Sequence, residues 1–281
     1  MSIAKILVPV AGAERDLAPL RGGMLAAELF GAHLEALFVR PDPAEAMPFY
    51  GEGMSSSVVQ EIMDVSRDAA GRAAQAARAN LEQVKSESRA GAQAHLSFRE
   101  AEGNFAEQVT LAARLSDLVV FGPLNEDDRL ALGEAFDATL LETGRPVLLM
   151  PERPPVRLGS KIALAWNGSI ASAHAISAAL PFLTRASCVE VLTVRRGAGT
   201  TSSADDLVRY LAFHGVSATA RVVEAGELPV ADALLKAADT KEGDSMLVAG
   251  GYGHNRVREL FVTGTTRRVV AQTAIPCFLV H

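Results

Sequence analysis

The chain is written twice. Lys5-Ile6-Leu7-Val8-Pro9-Val10 and Lys161-Ile162-Ala163-Leu164-Ala165-Trp166 are continuous apolar runs of strand length, each followed by a small-residue turn and an Ala/Leu-rich segment, about 16–30 and 171–183. Each helical segment leads to a second run, His33 to Arg40 and Val189 to Arg195. The copies also close alike: Asp117-Leu118-Val119-Val120-Phe121-Gly122 matches Ser245-Met246-Leu247-Val248-Ala249-Gly250, and Arg145 to Met150 matches Ile275 to Val280. Apolar runs without alternation suit strands buried on both faces, and their interleaving with helical segments implies a parallel sheet built from βαβ units.

The offsets locate the difference between the copies. Lys5 and Lys161 lie 156 positions apart, Pro146 and Pro276 only 130, so the first copy is longer by 26 residues. Most of that excess follows the second strand, as a Pro/Gly/Met/Ser-rich loop from Pro41 to Ser57 and a long helical stretch from about Val58 to Lys85. The second copy has a short loop, Gly197 to Ser203, and a helix ending near Phe213. Arg153-Pro154-Pro155-Val156 reads as the linker, because two prolines interrupt secondary structure and stiffen the joint. The expectation is an α/β chain of two tandem doubly wound domains, 1–152 (insertion at about 41–68) and 157–281, each with a five-stranded parallel sheet.

Composition narrows the function classes. With 49% hydrophobic and 21% charged residues and a formal net charge of −6, the chain lacks the broad basic face that nucleic acid requires. A local anion site is still allowed, since backbone N–H groups can supply it. No run approaches the length of a membrane span, and the first strand begins too early for a signal peptide to precede it. Cys188 and Cys277 each sit in an apolar run with no CxxC or His partner, so both are expected to be buried structural thiols in a cytoplasmic protein.

The stretch richest in chemistry runs from Gly250 to Arg268. It follows an apolar strand, so Gly250 stands at the carboxyl end, the edge where open α/β sheets bind ligands. Gly250 and Gly253 can take φ > 0 and admit a ligand close to the backbone. Thr263-Gly264-Thr265-Thr266 then opens a helix through Val269, Val270 and Gln272, combining N–H groups, hydroxyls and a positive dipole end in a form suited to phosphate. GxxxxGK followed by Ser or Thr is absent, and Gly251-x-Gly253-x-x-Arg256 lacks the third glycine of a dinucleotide fingerprint. A plain strand-ending turn and helix cap would use the same glycines, and both readings stand at this point.

The second copy resembles a universal stress protein domain, whose ATP-binding members carry Gly-x2-Gly-x9-Gly followed by Ser or Thr. Gly250-x2-Gly253-x9-Thr263-Gly264 reproduces that pattern with Thr263 in place of the third glycine. Sliding by one residue places Gly264-Thr265 on the final pair but requires a tenth spacer. A β-branched Thr263 takes φ > 0 only at a cost. The resemblance covers nearly the whole chain as two copies, of the bacterial tandem type, with an adenine nucleotide alpha hydrolase-like fold. It implies ATP, with magnesium, held by Ala165, Asn167, Val194, Gly250, Gly253, Thr263, Gly264, Thr265 and Thr266, or the same site left empty. Asn167 stands where nucleotide-binding members have a ribose-contacting Asp, and Val194 falls on the adenine pocket.

The resemblance also implies pairing of the two closing strands within the chain, and a homodimer. The first copy has Val10-Ala11-Gly12 at the ribose position and Gly122-Pro123-Leu124-Asn125-Glu126-Asp127-Asp128 after its fourth strand. Pro123 removes a donor and the acids repel phosphate, so this copy is expected not to bind ATP. The function implied is a stress-response binding and signalling module. A nucleotide-independent scaffold for a protein partner or a lipophilic small molecule, and a slow ATPase, are the alternatives.

Other residues carry less. His254 lies in the loop, as a phosphate contact or an exposed turn residue. His33, His95, His174, His214 and His281 share no metal spacing and read as surface or strand-end residues. Glu224 and Glu227 flank Gly226 and read as solvated turn residues rather than a catalytic pair. Arg256, Arg258, Arg267 and Arg268 form a basic cluster that could draw an anion or pair with Glu259 and nearby acids. Phe49 and Tyr50, in the apolar insertion, are expected to cover the face between the domains.

Overall fold

The computed structural model describes residues 2–42, 56–88, 95–124, 131–195, 203–240, 243–250 and 274–281. In the first half, β1 (Lys5–Val10), α1 (Leu17–Phe30) and β2 (His33–Arg40) are followed by the long α2 (Ser56–Glu87) and β3 (His95–Glu102). α3 (Phe105–Ala113), β4 (Leu118–Phe121), α4 (Ala131–Glu142) and β5 (Val147–Leu149) complete it. The second half repeats the order with β6 (Lys161–Ala165), α5 (Ile170–Leu183), β7 (Cys188–Arg195), α6 (Asp205–Phe213) and β8 (Ala218–Glu224). It ends with α7 (Val230–Ala238), β9 (Ser245–Gly250) and β10 (Cys277–Val280).

Local chemistry sets several boundaries. Gly31, at φ 65°, ends α1 in the left-handed region and returns its N–H to the Ala27 carbonyl. Asn104 caps α3 by accepting from the Glu107 N–H at 3.1 Å, and Ser169 caps α5 by accepting from the Ser172 N–H at 3.2 Å.

The ten strands form one sheet in the order β3-β2-β1-β4-β5-β10-β9-β6-β7-β8. Within each half every pairing is parallel, whereas β5 and β10 meet antiparallel with Leu149, Leu148 and Val147 opposite Cys277, Phe278 and Leu279. Since β6 to β10 repeat β1 to β5, the strand order reads the same from either end, as a pseudo-twofold relation between the halves demands. The closing strands pair within the chain, as the family resemblance implied. Equivalent bonds recur on both sides of the junction: Val119 N–H donates to the Pro146 carbonyl at 3.0 Å, and Leu247 N–H to the Pro276 carbonyl at 2.9 Å.

Helices cover both faces. On one, Ile6, Val8, Leu148 and Phe278 pack with Leu20 and Met24 of α1, Leu81 of α2, Ile176 and Phe182 of α5, and Leu211 of α6. On the other, Leu7, Val147, Leu149 and Leu279 meet Val109 of α3, Phe136 of α4 and Leu234 of α7. Both cores run unbroken across the junction. There Phe30 of α1 meets Phe182 of α5 edge-on at 4.7 Å, Phe182 meets Phe278 at 5.6 Å, and the Arg185 guanidinium lies 4.9 Å from the Phe30 ring centre.

The extra length of the first half is visible in α2. Its carboxyl-terminal part buries Ala74, Ala77, Leu81 and Val84 at helical spacing against the sheet. Arg21 of α1 clasps its end through two bonds to Glu87, at 2.8 and 2.9 Å, which hold that carboxyl down to about 2. The short α6 offers only Leu207 and Leu211 in the corresponding place.

The cysteine expectation is half corrected. Cys277 is buried in β10, but Cys188 is exposed. Cys188 opens β7 and is exposed while Val189 beside it is buried, so an apolar run in the sequence did not mean burial at its first residue. Phe49 and Tyr50 lie outside the described residues.

If the halves are held together by this junction, Phe278→Ala should lower unfolding stability by about 3–5 kcal/mol, the usual loss for a fully buried Phe. Urea denaturation followed by circular dichroism measures it, and a change below about 1 kcal/mol would contradict this reading of the packing.

Candidate functional site

Parallel strands deliver their carboxyl ends to one edge. In the second half that edge gathers Ala165, the last residue of β6, Asn167 just beyond it, Val194 near the end of β7, and Gly250, the last residue of β9. Four of the nine residues singled out in the sequence therefore converge. Gly253, Thr263, Gly264, Thr265 and Thr266 lie outside the described residues, as do His254 and the arginines 256, 258, 267 and 268. Ala165 and Val194 are half-buried, and Asn167 is exposed.

Gly250 is a glycine for a different reason from the one expected. Its φ is not positive. A Cβ there would come within 2.5 Å of the Ser172 backbone nitrogen, in the first turn of α5. The residue is small because a helix start is pressed onto the strand end. Gly122, its counterpart in the first half, is less tightly met: a Cβ there falls 3.0 Å from the Pro19 ring at the start of α1. The repeat of glycine at this position was legible in the sequence, but its cause was not.

The turn after the first strand also repeats. Gly12 and Gly168, related by the same offset of 156, have φ of 82° and 74°. Four residues beyond each, the halves diverge. In the first, Asp16 is buried, and its carboxylate accepts from the backbone N–H groups of Ala11, Gly12 and Ala13 at 2.7–3.1 Å. Burial pushes this carboxyl above its ordinary range, against the pull of those three N–H groups and of the Arg15 charge. The turn thus forms an anion nest already filled by the chain's own carboxylate. In the second half Ser172 stands at the corresponding position, and its hydroxyl donates to the Ser169 carbonyl at 2.8 Å. Among the described residues no carboxylate accepts from that turn. Sequence reasoning noted Asn167 opposite Ala11 and missed Asp16 opposite Ser172, a contrast the offset could have exposed.

Asn167 has a structural duty of its own. Its side-chain oxygen accepts from the Ser169 N–H at 3.0 Å, which shapes the entry to α5. Trp166, beside it, donates its indole N–H to the Ser203 carbonyl at 3.1 Å and so ties this edge to the start of α6.

In the first half a cavity of about 450 Å³ opens among the ends of β1, β2 and β4, with Gly103 at the end of β3 also on its wall. Its lining includes Pro9, Val10, Pro19, Val39, Phe105 and Leu132, with Asp16 and Arg15 as the charged members among the described residues.

The remaining candidates take the blander role. Glu224 pairs with Arg195 at 2.9 Å, and Glu227 is exposed. His33 shares a 2.7 Å hydrogen bond with the Ser97 hydroxyl, while His95, His174, His214 and His281 are exposed. Among the described residues no group of three or more His, Cys, Asp or Glu side chains is placed to hold a metal ion, and no helix is long and apolar enough to cross a membrane.

No protein-family model matches the chain, and no curated protein matches it. Solved structures do. A universal stress protein from Archaeoglobus fulgidus matches with TM-score 0.66 at 15% identity, over 98% of this chain and 95% of that one. A universal stress protein from Lactobacillus plantarum matches with TM-score 0.42 at 19% identity, over 53% of this chain and 99% of that one. A universal stress protein solved in complex with cAMP matches with TM-score 0.33 at 16% identity, over 54% of this chain and 100% of that one. The first of these fixes the fold: the whole chain has the architecture of a solved universal stress protein.

The packing of Gly250 makes a prediction independent of any ligand. Gly250→Ala should destabilise the protein by about 1–3 kcal/mol, as overpacking a tight contact does. Urea unfolding without nucleotide reads it, and an unchanged midpoint would mean that α5 is not held against the strand end.

Proposed function

We propose that the chain is a tandem universal stress protein, made of units 1–152 and 157–281, that binds an adenine nucleotide in its second unit as a stress-response module. The observation that carries the reading is the contrast between the two equivalent turns. Asp16 fills the first with a carboxylate, whereas Ser172 leaves the second without one. An anionic ligand is therefore repelled from one edge and tolerated at the other.

The roles follow from place and chemistry. Ala165 and Val194, half-buried, would flank the base; Asn167, exposed, would face the ribose. Gly253, Thr263, Gly264, Thr265 and Thr266 would supply backbone N–H groups and hydroxyls to the phosphates, by their order in the sequence. Magnesium would arrive with the triphosphate and neutralise part of its charge. Gly250 contributes by letting α5 approach the strand end, and so acts on the site through packing.

A homodimer would need a new surface. β5 and β10 are each paired on both sides within the chain, so the closing strands are no longer available for assembly. The outer strands β3 and β8 and the helical faces remain for that purpose.

Isothermal titration calorimetry with ATP, ADP and AMP tests the reading. One equivalent should bind, and restoring Thr263→Gly together with Asn167→Asp should tighten ATP by about tenfold or more, which is about 1.4 kcal/mol. No heat with any of the three at roughly millimolar concentration, about 4 kcal/mol of binding free energy, would overturn the assignment.

A further inference from the structure

We propose that the first half carries a second site of different chemistry: the cavity at the ends of β1, β2 and β4 takes a small, uncharged, largely apolar molecule. This goes beyond the nucleotide reading and does not depend on it. The volume, about 450 Å³, lies in the range of sites that enclose a small ligand.

The walls determine the class of ligand. Pro9, Val10, Pro19, Val39, Phe105 and Leu132 present carbon on several sides, from β1, α1, β2, α3 and α4. Burying an apolar surface against them gains the usual hydrophobic contribution, whereas a charged ligand would lose its hydration. The polar groups that might have welcomed an anion are already used. Asp16 holds the N–H groups of Ala11, Gly12 and Ala13, and Pro123 has no N–H to give. A phosphate would meet a buried carboxylate where the nest should be.

Nor is the carboxylate a natural partner for a cation. One of its oxygens accepts from all three N–H groups and the other from Ala11. Arg15, the other charged residue on the lining among the described residues, is exposed and already engaged. Gly12, in the same turn, is pressed against α2, because a Cβ there would overlap the Ala73 carbonyl. The first copy has thus kept the pocket at the sheet edge while its anion-binding turn is closed from within.

The neutral dye N-phenyl-1-naphthylamine, which fluoresces on leaving water, tests this on the full chain. Fluorescence titration should show saturable binding of one equivalent in the micromolar range, unaffected by saturating ATP. Val39→Phe, which fills the cavity from β2, should weaken dye binding at least tenfold, with the native circular-dichroism spectrum retained. Leu132→Phe fills it from α4 and gives the same reading should the first variant fail to fold.

Absence of saturable binding overturns the proposal. So does dye binding that survives both fillings, which would place it elsewhere on the surface. Displacement of the dye by ATP would overturn it too, because the first-half cavity would then be a nucleotide site. A negative result here leaves the calorimetric test of the second half intact, since that uses ATP and reports on a different edge.

Discussion

Two short strands hold this molecule together. β5 and β10 meet antiparallel in the middle of the sheet, and each is paired on its other side to the fourth strand of its own half. That junction turns two five-stranded parallel sheets into one of ten, with a hydrophobic core running across both faces. Phe182 and Phe278 lie at its centre with less than 2% of their surface exposed, so neither half could separate without exposing large aromatic side chains to water. The antiparallel meeting also fixes the relation of the two ligand-type edges. Each lies at the carboxyl ends of its own parallel set, and reversing direction at the junction sends the edges to opposite ends of the sheet.

Duplication supplied the same backbone twice, and a few side chains made the copies differ. Gly12 and Gly168 keep the same left-handed turn, and Gly122 and Gly250 each face the start of the first helix of their own half, Gly250 the more tightly. Against that common frame, Asp16 and Ser172 have opposite consequences for an incoming anion. A carboxylate that accepts from three N–H groups leaves that turn with no free N–H of those three to offer an anion. The longer α2, fastened to α1 by Arg21 and Glu87, further encloses the first half.

Much of the fold could be read from the sequence because its signals were local and repeated. Apolar runs gave β2 and β9 to the residue, and the matching Pro146 and Pro276 marked the strands that pair at the junction. What escaped was set by tertiary contact. Cys188 lies in an apolar run yet faces solvent, while Val189 beside it is buried. Gly250 looked like a ligand-loop glycine, and its cause is the backbone of α5, far from it in sequence. Asp16 opens the first helical segment of the sequence, and only three-dimensional closure shows its carboxylate turned back onto the preceding turn. Sequence identifies which residues recur; burial and hydrogen bonding decide what each recurrence is for.

The central claim is that the halves share a fold but divide their chemistry, with anions admitted only at the second edge. A crystal structure of the full chain grown with ATP tests it most directly. The account predicts nucleotide density beside Ala165, Asn167 and Val194, and none in the cavity near Asp16. Nucleotide seated in the first-half cavity, with the Asp16 carboxylate displaced from its N–H partners, would contradict it.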